Sequence, residues 1–157
     1  MPPTVLRDGP EGPGSVQLYV DFDPREHYLT LRERRQDDFR RVALFDAVIN
    51  NADRKSGHCL LSRDDRVFLI DHGVSFHHVP KLRTVIWEFA GEDIPEELCG
   101  DVARFAGDVT AGRVAERLAE LLSAREIKAL RARVRTLLET RCFPLPGPGR
   151  AYPWPVV

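Results

Sequence analysis

Apolar residues recur near helical spacing at Phe39, Val42, Ala43, Phe45 and Ile49, which predicts a buried helix ending at Asn50 and Asn51, whose side chains favour caps and turns. Two short apolar runs follow, Cys59 to Leu61 and Arg66 to Ile70, separated by Ser62, Asp64 and Asp65. That is the pattern of a β-hairpin. Beyond it the period returns to that of helices. Ile94, Leu98, Val102 and Phe105 share one face behind a capping pattern of Asp93 with Glu96. Thr110 is placed to cap a second helix with Val114, Leu118, Leu121 and Leu122 inward, and Ser123 with Glu126 opens a third whose inner face is Ile127, Leu130, Val134, Leu137 and Leu138. No heptad persists across these caps, so three packed helices are expected and not a coiled coil.

Ahead of the central helix the signals are shorter. Pro2 to Leu6 reads as an edge strand ending at the turn Asp8-Gly9-Pro10, and Ser15 to Val20 as a strand with Val16, Leu18 and Val20 on a buried face. From Pro24 to Arg41 the chain is polar and Arg-rich, as a solvated connector would be, and Phe143 to Pro155 is a Pro-punctuated tail expected to lie extended on the helices through Phe143, Tyr152 and Trp154.

At 157 residues the chain suits one domain with a core of its own, in the α+β class. A net charge of -1 argues against a nonspecific nucleic-acid binder. Twenty of the 23 basic residues are Arg, which makes Lys55 in a loop conspicuous. Cys59, Cys99 and Cys142 are odd in number and far apart, so free thiols and a reducing, cytoplasmic setting are expected. The apolar runs are far shorter than the roughly 20 residues that span a bilayer, so no transmembrane segment is expected. The oligomeric state is not legible.

The candidate chemistry lies in Leu44 to His78. A hairpin returns the chain to its start, so His58 before the first strand and Asp71 after the second should meet beside Asp53, giving two acids and an imidazole that could hold a metal. Protein kinases place a catalytic Asp five residues before a metal-binding Asn, often with a Lys two residues after the Asp, and an Asp-Phe-Gly a short hairpin later. Asp53, Lys55 and His58 occupy those offsets, and Asp71-His72-Gly73 follows the hairpin. Asp53-Arg54 also preserves the opening of the lipid-kinase motif, while Ile70 to Phe76, Lys81, Arg83 and Trp87 imitate its second motif. The run resembles the phosphatidylinositol 3-/4-kinase-like family, closest to the type II phosphatidylinositol 4-kinases and a related bacterial family.

The resemblance implies a protein-kinase-like C-terminal lobe over residues 23–142, preceded by remnant N-lobe strands and hinge at 1–22 and followed by the tail at 143–157. It implies Asp53 as base, Lys55 on the γ-phosphate, His58 and Asp71 on Mg²⁺ or Mn²⁺, and Leu18, Tyr19, Val20 and Asp21 as the hinge that borders ATP. His58 departs from the family's amide ligand: imidazole suits Mn²⁺ better than Mg²⁺, and the alternative is that His58 only hydrogen-bonds the loop. His72 stands at a packing position. No Gly-rich phosphate loop or clamp Lys precedes Ser15, so the resemblance covers the hinge and C-terminal lobe alone, and Met1 is read as an internal start or the lobe as one that acts by binding. The functional expectation is ATP-dependent phosphoryl transfer to a phosphoinositide or another hydroxyl acceptor. Its alternatives are a nucleotide-binding pseudokinase or regulatory module, and a metal-dependent phosphohydrolase that draws also on His72, His77 and His78.

Overall fold

The computed structural model describes residues 1–157 and shows an α+β chain with two small antiparallel sheets. The central helix, α2, runs Gln36–Ile49 and buries Phe39, Val42, Ala43, Leu44, Ala47, Val48 and Ile49. Asp37 and Asp38 in its first turn suit the positive end of the helix dipole. Asn50 ends it in the left-handed region, at φ 56, a conformation Asn tolerates better than most residues. A short helix, α1 (Tyr28–Leu31), precedes it. Here the expected solvated connector is corrected: Tyr28 and Leu31 are 2% and 0% exposed, and Tyr28 sits edge-on to Phe39 at 5.1 Å. Two apolar residues three apart among many charges make too short a run to show a period.

Two longer helices complete the core with α2. Helix α3 spans Glu96–Asp108 and α5 spans Ala124–Thr140, with Leu98, Val102, Leu130, Val134 and Leu137 buried between them. The capping box expected at α5 forms: the Ser123 hydroxyl accepts from Glu126 N, and the Glu126 carboxylate accepts from Ser123 N at 2.8 Å. The one expected at α3 does not. Pro95 takes the cap position without a side-chain bond, while Glu96 pairs with Arg141 and Asp93 bridges to Cys142. Thr110 is no cap either, its hydroxyl donating back to Ala106 O at 2.7 Å.

Helix α4 (Arg113–Leu121) starts at Gly112, whose φ of 90 a side chain would resist, and buries no residue. Val114 is 39% and Leu121 69% exposed, against the expectation that both point inward. Amphipathic spacing announces a helix with an apolar face, and a second element must exist to cover that face.

The N-terminal strands show the same principle. Strands β1 (Thr4–Gly9) and β2 (Gly12–Gln17) pair antiparallel with Val5 opposite Val16, joined through Pro10-Glu11. Every residue of both is exposed, as are Leu18 and Tyr19, which corrects the expected buried face. Strands β3 (Cys59–Leu61) and β4 (Val67–Leu69) form the expected hairpin in the register Cys59↔Leu69, Leu60↔Phe68 and Leu61↔Val67. The segment entering from β2 crosses its turn end, where Phe22 bridges Ser62 and Arg63 N donates to Asp21 O at 3.1 Å.

The tail departs from its expected course. Phe143 is buried, but Tyr152 and Trp154 are 51% and 76% exposed. It returns to the middle of the chain through backbone bonds: Ala151 O accepts from Thr84 N and from the Trp87 indole, and Val156 O accepts from Ser56 N at 2.9 Å. No helix is long and apolar enough to cross a membrane.

Candidate functional site

Asp46 and Arg54, both 0% exposed, anchor the loop after α2. The Asp46 carboxylate accepts from Arg54 Nε at 2.9 Å, Arg54 Nη2 at 2.9 Å and Asn51 Nδ2 at 3.0 Å. Burial opposes the guanidinium charge, yet the hydrogen bonds and charge of Asp46 outweigh it and hold Arg54 above the ordinary arginine range. The remaining arm of Arg54 donates to Ile70 O at 3.0 Å. One buried cation thus ties the loop carrying Asp53 to the end of the hairpin carrying Asp71. Asn51 completes the brace by accepting from Asp53 N at 3.0 Å. Behind the loop, Arg54 pairs parallel with Thr84, its N–H donating to Arg83 O and its carbonyl accepting from Val85 N.

On this frame the hairpin brings its two ends together as expected, with Ile70 N donating to His58 O at 3.1 Å. His58 Nε2 lies 3.4 Å from Asp71 Oδ2, and Lys55 Nζ lies 3.2 Å from Asp53 Oδ2. The four groups form two adjacent pairs: no three acidic, imidazole or thiol side chains converge as a metal-ligand set. His58 Nδ1 faces the Lys55 N–H at 3.5 Å, so the tautomer that satisfies both nitrogens carries its proton on Nε2, toward Asp71. Burial, then the charges of Arg54 and Lys55, depress the His58 pKa against the opposing pull of Asp71 and Asp53. The balance favours the neutral imidazole.

Two backbone positions in this region are unusual. Asp71 has φ 54 and Phe76 φ 65, whereas the other non-glycine residues with positive φ end helices or turn the β3–β4 hairpin. Left-handed backbone costs on the order of 1 kcal/mol or more for such residues and gathers where the surroundings impose it. Phe76 N donates to Ile49 O, and Ala52 N to Val74 O at 2.8 Å, so the segment after Asp71 is laced back onto the end of α2. Asn50 extends the lacing, donating to His77 O and Val79 O and accepting from Lys81 N, all within 2.9 Å. Arg133 on α5 adds bonds to Val48 O at 3.0 Å and His77 O at 3.5 Å. It has no acidic partner, and burial lowers its pKa to about 10.

His27 reaches the site loop, its Nδ1 2.8 Å from Ser56 Oγ between Lys55 and His58, whereas His72, His77 and His78 do not join the site. His72 packs edge-on to Phe45 at 5.4 Å with its Nε2 buried and unbonded, and burial lowers its pKa to about 4. His77 and His78 stack on each other at 4.5 Å, with His77 Nε2 3.4 Å from Lys81 Nζ. Of the hinge candidates, Asp21 meets the turn end of the β3–β4 hairpin, opposite the end that carries His58 and Asp71, while Leu18 N donates to Pro3 O, Leu18 and Tyr19 are exposed, and Val20 is half-buried.

His72 gives a pH prediction. Its folded pKa of about 4 lies below the ordinary value of 6.5, so between those pH values the unfolded chain binds the extra proton and stability falls as pH falls. Melting curves from pH 7 to 4 should show wild type losing more stability than His72→Leu across that window. Parallel curves would place the proton elsewhere.

Asp46, Arg54 and Asn50 carry more of this geometry than the spacing of the motif suggests. The available signal was an acid at position 46 among the buried positions of α2, four residues after Val42 and three after Ala43, where a charge needs a partner.

Fold and site define an α+β protein with a braced loop-hairpin site of two acids, a lysine and a histidine. The chain belongs to the family of Protein Rv2133c of Mycobacterium tuberculosis, to which it is 38% identical over 190 aligned positions that cover 99% of this chain and 68% of that protein. No family model matches it.

Proposed function

We propose that this chain is a phosphatidylinositol-kinase-like lobe that transfers the γ-phosphoryl group of ATP to a hydroxyl acceptor. The observation that carries the reading is the brace: Asp46 and Arg54 hold the Asp53 loop and the left-handed Asp71 at one end of the hairpin. A nucleotide lying along β3 would meet Leu18 to Asp21 with its base and the Asp53 to Asp71 end with its phosphates. Asp53 then accepts the proton of the acceptor hydroxyl, and Lys55, already beside it, moves to the transferring phosphate and neutralises its charge.

The residues fit a divalent ion in part. Donors bound to one ion at roughly 2.1 Å stand about 3 Å apart, close to the His58–Asp71 separation of 3.4 Å, and Mg²⁺ or Mn²⁺ fills its other positions with phosphate and water oxygens. Asp71 can serve at once. His58 can serve only after its proton moves from Nε2 to Nδ1, where it would oppose the Lys55 N–H. The ion would supply charge neutralisation on the phosphates.

Positioning is most of what catalyses phosphoryl transfer, and residues 1–14 contain no G-x-G-x-x-G loop and no Lys to close over ATP. The 157-residue chain should therefore bind ATP weakly and transfer little, while a longer chain carrying such a loop should transfer phosphate to phosphoinositide or another hydroxyl acceptor in an Asp53-dependent way. Loss of at least about a hundredfold in rate with Asp53→Asn is expected. Unchanged transfer would remove Asp53 as base. A nucleotide-binding pseudokinase is the second reading, favoured by the way His58 and Asp71 satisfy each other. Nucleotide binding with no transfer by any longer chain would select it.

A further inference from the structure

Helix α4 carries Val114 and Leu121 exposed at 39% and 69%, and no element lies over them. Beside it, the outward side of α5 holds a surface hollow of about 540 Å³ with a floor of Ala124, Ile127 and Ala132 and a rim of Lys128, Arg131 and Arg135. Charge is concentrated in the same place. Residues 113–135 contain seven basic and three acidic residues in a chain whose net charge is -1, and apart from Arg133, which is turned to Val48 O and His77 O, six basic residues remain for this side. Arg131 is held in place by Val109 O, to which its Nε donates at 2.8 Å.

We propose that α4 and the outward side of α5 form a docking face for an anionic lipid surface. An apolar ridge flanked by cations, on a protein whose other residues are net acidic, is the arrangement that lets a short amphipathic helix settle at a lipid headgroup boundary while basic groups meet the phosphates. The hollow joins both requirements, with an apolar floor for the upper acyl carbons and three cations for a headgroup. The acids offset part of this charge, Glu120 pairing with Arg117 at 3.6 Å and Glu126 turned into the α5 cap, and together with Glu116 they are outnumbered by the cations. The proposal does not require phosphoryl transfer, and its test reads binding alone.

The test is co-sedimentation of the 157-residue chain with vesicles of phosphatidylcholine alone and of phosphatidylcholine mixed with phosphatidylglycerol, at low and high salt. Binding is expected only to the mixed vesicles and should weaken with salt. Lys128→Glu with Arg135→Glu should lower partitioning by roughly tenfold or more, and Leu121→Glu should lower it independently. All three positions are exposed, so circular dichroism and melting should match wild type. Equal binding to both vesicles, or retained binding by the folded variants, overturns the proposal. So does a concentration-dependent dimer that Leu121→Glu dissolves without affecting vesicle binding, which would assign the face to a second copy of the chain.

Discussion

Arg54→Ala should destabilise the protein by about 3–5 kcal/mol, because it strands the Asp46 carboxylate in a site with no solvent access. For a chain of this length such a loss lowers the melting temperature by on the order of 10 °C. The same substitution removes the donor to Ile70 O and leaves Asn51 as the one remaining side-chain donor to Asp46, so the loop bearing Asp53 and the end of β4 should loosen together. The paired change Asp46→Leu with Arg54→Met eliminates the buried charges and should recover much of the stability. It should not recover the site, because the aliphatic pair provides no tie to Ile70. Calorimetric melting distinguishes these outcomes. A cost below about 1 kcal/mol for Arg54→Ala would mean that the pair does not brace the loop.

The second large effect concerns Asp71. Its side chain is 56% exposed and pairs with His58 at 3.4 Å, while its backbone is held in the left-handed region. An acid presented to solvent on a constrained backbone suits a ligand better than it suits the fold. Asp71→Asn keeps the shape and removes the charge, so it should abolish binding of ATP with a divalent ion while leaving the melting temperature of the free protein nearly unchanged. Asp53→Asn should retain that binding, since its assigned role is the acceptor proton. His58 reports on the ion. If its imidazole ligates, His58→Asn should move preference from Mn²⁺ toward Mg²⁺; if it only donates to Asp71, the preference should stay put.

The central helix, the β3–β4 hairpin and α5 were legible because each writes its period over several residues and ends in a recognisable signal: Asn50, the Ser62 to Asp65 turn, and Ser123 with Glu126. The meeting of His58 with Asp71 followed from the hairpin alone. What periodicity does not encode is which surface a neighbour covers. Val16, Leu18, Val114 and Leu121 have the spacing of buried faces and are exposed, because nothing packs over the β1–β2 ribbon or over α4. Nor does spacing reveal side-chain partners far apart in sequence. The return of Val156 to Ser56 and the clamp of Arg133 on Val48 and His77 join segments some 60 to 100 residues apart through backbone carbonyls, which carry no sequence signal. The expected meeting of Asp53 with His58 and Asp71 as one set resolves into two pairs, because Lys55 lies two residues from Asp53 and takes its carboxylate.

Calorimetric titration of ATP with Mg²⁺ or Mn²⁺ into wild type, Asp71→Asn and Asp53→Asn tests the central assignment most directly. Weak binding by wild type, kept by Asp53→Asn and lost by Asp71→Asn, is the expected result. Equal binding to wild type and Asp71→Asn, or none to wild type at any concentration of either ion, would contradict a nucleotide and metal site at the end of this hairpin.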